Sequence, residues 1–332
     1  MLKTTLRYAI PLLLAASVTA CSRDADPVET ASTEASPPAS VETVPTPANT
    51  QDLKPLVRST ALPAKMDCVR EIGALAAAHR GGPRRGFPEN ALETLEESYK
   101  RGTRIFEIDI AESKDGVLFL MHDVELDRTT TGKGVAREMD WSDLSTLNLT
   151  ANGEDTAFLI PTLRQTLDWA VANNAIVELD KKRSTEFATI IKAVREADAT
   201  NNVILITYTY DQAEDVAELA PDMMMTATVE DPSDLEELIR RGVKLENLIA
   251  WTGTSTPNPG LWLDLKARGV EVAFGTLGRR NERLDDQYWA DDDGTEYNVL
   301  ENNGVTMIAT DYSDKVTRQL TNDDIAIKAC GF

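Results

Sequence analysis

The chain has 332 residues, enough for one large domain or two small ones, and its 42% hydrophobic content can fill a core. Its formal net charge of −21 argues against nucleic acid or an anionic membrane surface as the main partner. The same acidity is compatible with a site for divalent cations.

Residues 1–21 read as a targeting segment. Lys3 and Arg7 form the charged start, Ala9–Ala20 the apolar stretch, and Val18-Thr19-Ala20-Cys21 the cleavage site. The apolar stretch is shorter than the about 20 residues a spanning helix needs. The segment resembles a bacterial lipoprotein signal, which implies export and a lipid anchor at Cys21; an ordinary secretory signal is the alternative. Ser22 after the cysteine implies, in such lipoproteins, the outer membrane facing the periplasm. Residues 22–65 are rich in Ala, Ser, Thr, Pro and Glu and read as a disordered tether, too poor in apolar surface to offset chain entropy.

From residue 66 to 332 strand and helix patterns alternate. Strand candidates are Ala74–His79, Ile105–Ala111, Val117–His122, Ile176–Asp180, Val203–Thr207, Met223–Thr228, Leu248–Trp251, Val270–Phe274 and Thr306–Thr310. Amphipathic runs at Ala91–Arg101, Leu163–Asn173, Thr185–Ala197, Gln212–Leu219 and Ser233–Arg241 lie between several of them. Repeated units of this kind predict an α/β fold, a (β/α)₈ TIM barrel with a small insertion after the third strand, residues 123–161. Nine candidates for eight places leave one spare, expected to be Leu248–Trp251. Ile105–Ala111 and Val117–His122 are joined too closely for a helical crossover, so either a helix is missing there or the two form a hairpin.

The stretch from Ala78 to Thr130 carries the chemistry. The protein has two histidines, His79 and His122, and both lie in it. An imidazole pair can supply one base and one acid to a phosphoryl transfer. Arg80 offers a planar fork to phosphate oxygens, or else a salt bridge to Glu89. Glu107 and Asp109 sit two apart in an apolar run, so on a strand they share a face. Burying both without a cation is costly, and a hard divalent ion, Ca²⁺ or Mg²⁺, resolves that cost. Met223-Met224-Met225 reads as strand filling. Gly132-Lys133-Gly134 lacks the phosphate-loop context, so no nucleotide cofactor is expected.

His79-Arg80-Gly81, Pro88-Glu89-Asn90, Glu107-x-Asp109, Asp115-Gly116, His122-Asp123 and Arg128-Thr129-Thr130 follow one another in this stretch. Together they resemble the signature of glycerophosphodiester phosphodiesterases, in the superfamily shared with phosphatidylinositol-specific phospholipases C. Weaker echoes run on to Thr310-Asp311. The resemblance implies a metal-dependent phosphodiesterase releasing glycerol 3-phosphate and an alcohol from a glycerophosphodiester, with His79 as base and His122 as acid. It implies one divalent cation on Glu107, Asp109 and a third carboxylate. Here the family's usual Glu-x-Lys is replaced by Glu178-Leu179-Asp180-Lys181-Lys182. Asp180 then becomes the ligand, with Glu178 as the alternative, and Lys182 faces the phosphate beside Arg80. A lysophospholipase D or sphingomyelinase D-like lipid phosphodiesterase is the alternative activity, and a surface-displayed binding protein on an inactive barrel is the alternative of another class. Thr207-Tyr208-Thr209, Phe274–Gly278 and Thr310-Asp311 either line the pocket or pack the barrel. Export and the closeness of a barrel's first and last elements predict a Cys68–Cys330 disulfide, against two free buried thiols.

Overall fold

The computed structural model describes residues 61–332. The signal segment with Cys21, and the tether as far as residue 60, lie outside the described residues. Eleven strands are present among the described residues: β1 (Leu75–Ala78), β2 (Ile105–Glu112), β3 (Leu118–Leu120), β4 (Asn148–Ala151), β5 (Glu154–Leu159), β6 (Ile176–Lys181), β7 (Val203–Ile206), β8 (Met224–Thr228), β9 (Leu248–Trp251), β10 (Glu271–Gly275) and β11 (Met307–Thr310). β1, β2 and β6 to β11 pair in parallel, and β1 bonds both β2 and β11, so the ring closes as a TIM barrel. Helices connect the strands from β6 onward, as parallel crossovers require.

The spare strand is not Leu248–Trp251. That segment is β9, hydrogen-bonded between β8 and β10. A full helix, Pro232–Arg240, precedes it and supplies the crossover. The strand outside the ring is β3, which returns antiparallel along β2 with Ile110 opposite Leu120. Residues 113–117 are too few for a crossover, and only a hairpin satisfies them.

The expected tether also ends earlier than residue 65. Leu62–Ile72 is an α-helix with a proline in its first turn, where the missing N–H costs nothing. Leu62, Met66 and Val69 on its buried face meet Ile105, Ile176, Ile204, Met224, Ile249 and Met307, which form the barrel floor. Along β2, Ile105, Glu107 and Asp109 face inward while Phe106, Ile108 and Ile110 pack against the outer helices. The interior therefore grades from an apolar floor to an acidic mouth.

The segment after β3 folds on its own small apolar cluster, with Leu126, Leu144 and Leu149 packed on Phe119 and Met121. Its β4–β5 hairpin closes beside the barrel mouth, where Thr150 bonds the Thr129 carbonyl. No helix among the described residues is long and apolar enough to cross a membrane.

Beneath the floor, Cys68 is bonded to Cys330 with a Cα–Cα distance of 5.6 Å, linking the first helix to the helix Asp323–Cys330. The bridge closes a loop of 262 residues, which falls at the upper end of the about 2–5 kcal/mol such cross-links contribute. The Cys68→Ser/Cys330→Ser variant should melt about 5–15 °C lower by calorimetry. An unchanged melting temperature would mean that this link does not stabilise the fold.

Candidate active site

The site sits at the mouth, where β2 and β6 run side by side in register. Glu107 pairs with Glu178 and Asp109 with Asp180. Neighbouring strands lie about 4.8 Å apart, so alternation on each strand brings four acids to one patch of the inner face. Oxygens of Glu107, Asp109 and Asp180 all fall within 4.8 Å of one another. Glu178 is outside that group but lines the same cavity.

Local bonds hold each acid. Burial pushes Glu107 well above the usual carboxylate range, and the Asp109 charge adds to this, against the Arg80 backbone N–H that donates to Glu107 Oε2 at 2.7 Å. Burial acts on Asp109 in the same sense, but the Lys182 ammonium and the Asn90 amide outweigh it and hold Asp109 low. Lys182 Nζ lies 2.5 Å from both Asp109 Oδ1 and Asp180 Oδ2. Burial alone raises Glu178 to about 8. A buried group of acids that needs an ammonium between two members fits a hard divalent cation, with Glu107, Asp109 and Asp180 as oxygen ligands.

Asn90 makes a two-sided clasp on Asp109. Its Nδ2 donates to Asp109 Oδ2 at 2.6 Å, and its Oδ1 accepts from the Asp109 N–H at 3.0 Å. Asn90 stands in the left-handed region at φ 57°, its N–H bonded to the Arg80 carbonyl. Arg80, Gly81 and Gly82 also have positive φ, so the chain reverses sharply after β1. A Cβ on Gly81 would fall 2.5 Å from Leu95 Cδ1. Arg80 Nη1 is paired to Glu89 Oε1 at 2.9 Å, and its Nε stands 3.8 Å from Asp109 Oδ2.

Both histidines line the cavity, and each is held by its own carboxylate. His79 Nδ1 is 2.7 Å from Asp311 Oδ1, and His122 Nδ1 is 2.7 Å from Asp123 Oδ1. Asp311 is in turn bonded by Arg283 and the Gly278 N–H, and Asp123 by Arg128 at 2.6 and 2.9 Å. Nδ1 is the protonated nitrogen by this assignment, which leaves Nε2 for the cavity.

The cavity, about 280 Å³, has a polar side formed by the acids and imidazoles and an apolar side formed by Ile206, Trp251 and Leu277. Trp251 lies over Gly275, where a Cβ would meet its ring at 2.8 Å. Tyr208 stands at the rim, 59% exposed. Thr207 and Leu277 line the cavity, whereas Phe274 is buried in the outer core and packs on Trp262. Asp123, Asn90 and Trp251 had no assigned role in the sequence reading. For Asp123 the signal was its place next to His122, and for Trp251 the strand it ends.

The family model described as glycerophosphoryl diester phosphodiesterase matches residues 79–315. The chain belongs to this family. Among curated relatives, an uncharacterised protein of Bacillus subtilis is 32% identical over 152 residues, 43% of this chain and 62% of its own length. Glycerophosphodiester phosphodiesterase 1 of Rattus norvegicus is 36% identical over 117 residues, 34% of this chain and 35% of its own length. The shared part is thus less than two thirds of either relative. A glycerophosphoryl diester phosphodiesterase of Parabacteroides distasonis superposes with a TM-score of 0.68 at 25% identity, covering 81% of this family member and 92% of that chain. The Oleispira antarctica phosphodiesterase in complex with the product sn-glycerol-3-phosphate shares the fold, with a TM-score of 0.58 at 22% identity over 76% of this chain and 98% of that one.

The geometry predicts that Asp180→Ala weakens Mn²⁺ or Ca²⁺ binding by calorimetry far more than Glu178→Ala does. Asn90→Ala, which only orients Asp109, should cost about 10–100-fold in cation affinity. The reverse ranking of Asp180 and Glu178 would move the third ligand one pleat deeper.

Proposed function

We propose that this chain hydrolyses glycerophosphodiesters to glycerol 3-phosphate and an alcohol. The observation that carries this reading is a pair of imidazoles, each braced by a carboxylate, in one cavity with a cation-binding group of acids. Family membership supports the same chemistry, and the Oleispira antarctica neighbour is described with that product bound.

A divalent cation on Glu107, Asp109 and Asp180 would supply Lewis-acid stabilisation of charge on the phosphoryl oxygens. His79, oriented by Asp311, accepts at Nε2 the proton of the attacking hydroxyl as its oxygen bonds phosphorus. His122, oriented by Asp123 through Nδ1, enters the step as the imidazolium and gives its Nε2 proton to the leaving oxygen as the old phosphorus–oxygen bond breaks. One proton is taken up and one released, so the step balances. If the nucleophile is the neighbouring glycerol hydroxyl, a cyclic phosphate forms, and water opens it with the two rings in reversed roles. Arg80 and Lys182 lie beside the acids and suit the phosphoryl oxygens as cations.

One observation favours a second reading, a lipid phosphodiester such as a lysophospholipid. The Ile206, Trp251 and Leu277 wall and the exposed Tyr208 ring offer an apolar flank. A binding protein on an inactive barrel fits less well, since it has no use for two braced imidazoles beside buried acids. A lipid anchor at Cys21 is part of the same proposal and would hold the barrel at a membrane.

The test is turnover of glycerophosphocholine, glycerophosphoethanolamine and lysophosphatidylcholine, with chelator and with Ca²⁺ or Mg²⁺ restored. Soluble diesters should be cut, activity should vanish with chelator, and His79→Ala and His122→Ala should each lose about 10²–10⁴ in kcat. Chelator-resistant turnover would contradict the cation, and full activity in either variant its assigned role. Faster turnover of the lysophospholipid would favour the second reading.

A further inference from the structure

A second cavity, also about 280 Å³, opens beside the first. Of the side chains lining either cavity, His122 alone belongs to both. His122 thus borders both. A group protonated by His122 therefore has two directions in which to lie, toward the acids or into this second space.

The second cavity has a cationic wall. Arg137 comes from the 3₁₀ turn Ala136–Glu138 of the inserted segment, and Arg183 from the loop after β6. Neither guanidinium has an ion pair or hydrogen bond among the described residues. The other charges on this wall are already engaged. Lys182 is shared by Asp109 and Asp180, and both Asp123 oxygens are taken by His122 and Arg128. Val124 and Ala111 supply an apolar side. The volume falls just below the about 300–1,000 Å³ common for small-molecule sites.

We propose that this cavity receives the leaving alcohol, and that the alcohols it favours carry an anionic group of their own, a carboxylate or a second phosphate, which Arg137 and Arg183 bind. The inference rests on His122 acting as the acid of the proposed phosphodiesterase. Guanidinium forks match carboxylate and phosphate oxygens in geometry as well as charge. Both arginines are solvent-exposed, so their effect is moderate and screened by salt. A choline or ethanolamine alcohol would bring a like charge to the same wall.

The experiment compares kcat/KM for glycerophosphoserine and for bis(glycerophospho)glycerol, each against glycerophosphocholine. It uses the wild type, Arg137→Ala/Arg183→Ala, and Arg164→Ala as a control that removes a charge paired to Asp168 on an outer helix. The anionic-to-choline ratio should exceed one in the wild type, fall roughly tenfold in the double variant, and stay put in Arg164→Ala. It should also shrink with added salt. The serine diester tests the carboxylate and the bis-phosphate diester the second phosphate. A wild-type ratio at or below one for both, or a ratio the double variant leaves unchanged, overturns the proposal while leaving the phosphodiesterase reading intact. If no diester is cut, that reading fails instead, and calorimetry with O-phosphoserine and phosphocholine decides the pocket. Tighter O-phosphoserine binding that the double variant abolishes supports it, and equal binding overturns it.

Discussion

Two adjacent strands of this barrel present four acid side chains to the interior in register, Glu107 beside Glu178 and Asp109 beside Asp180. Like charges at strand spacing repel strongly in a site partly shielded from water. The surrounding structure answers that repulsion group by group. Burial raises Glu178 to about 8, which favours its neutral form. Lys182 reaches two of the others, the Arg80 N–H meets a third, and Asn90 fixes Asp109 from both ends. The sharp turn after β1, with three consecutive residues at positive φ, brings the Arg80 N–H to Glu107.

The imidazoles depend on a similar arrangement one layer out. Asp311 is held by Arg283, and its own N–H donates to buried Asp285, which also accepts from Tyr297 and Thr310. Asp123 is held by Arg128, which reaches across to Glu89, the partner of Arg80. The ring that faces the insertion and the loop that carries Arg80 are thereby joined through one guanidinium. Changes in the insertion can reach the site along this path without touching substrate.

Much of this was legible in the sequence, for reasons that differ by element. β2 and β6 were plain because inner strands of a parallel barrel are apolar runs, and their acids stand out against Ile105, Ile108 and Val177. Period two then put Glu107 and Asp109 on a shared face. The placement of β9 failed because Leu248–Trp251 is short and the helix after it, Pro259–Ala267, shows no clear amphipathic period, while β3 looked equally strand-like without belonging to the ring. The helix Leu62–Ile72 was hidden by the proline-rich tract before it. Asp311 lies 232 residues from His79, and only ring closure through β1 and β11 makes them neighbours. Arg137 and Arg183 carried no sequence signal, since what distinguishes them is that two separate elements bring them to one cavity.

The account turns on one positive centre shared by acids from two strands. Crystals of the barrel grown with Mn²⁺ and measured for anomalous scattering test it most directly. A single strong peak bounded by Glu107, Asp109 and Asp180, with Lys182 displaced from between Asp109 and Asp180, is the predicted result. No peak at that place at millimolar Mn²⁺, with Lys182 still bridging the two aspartates, would contradict it.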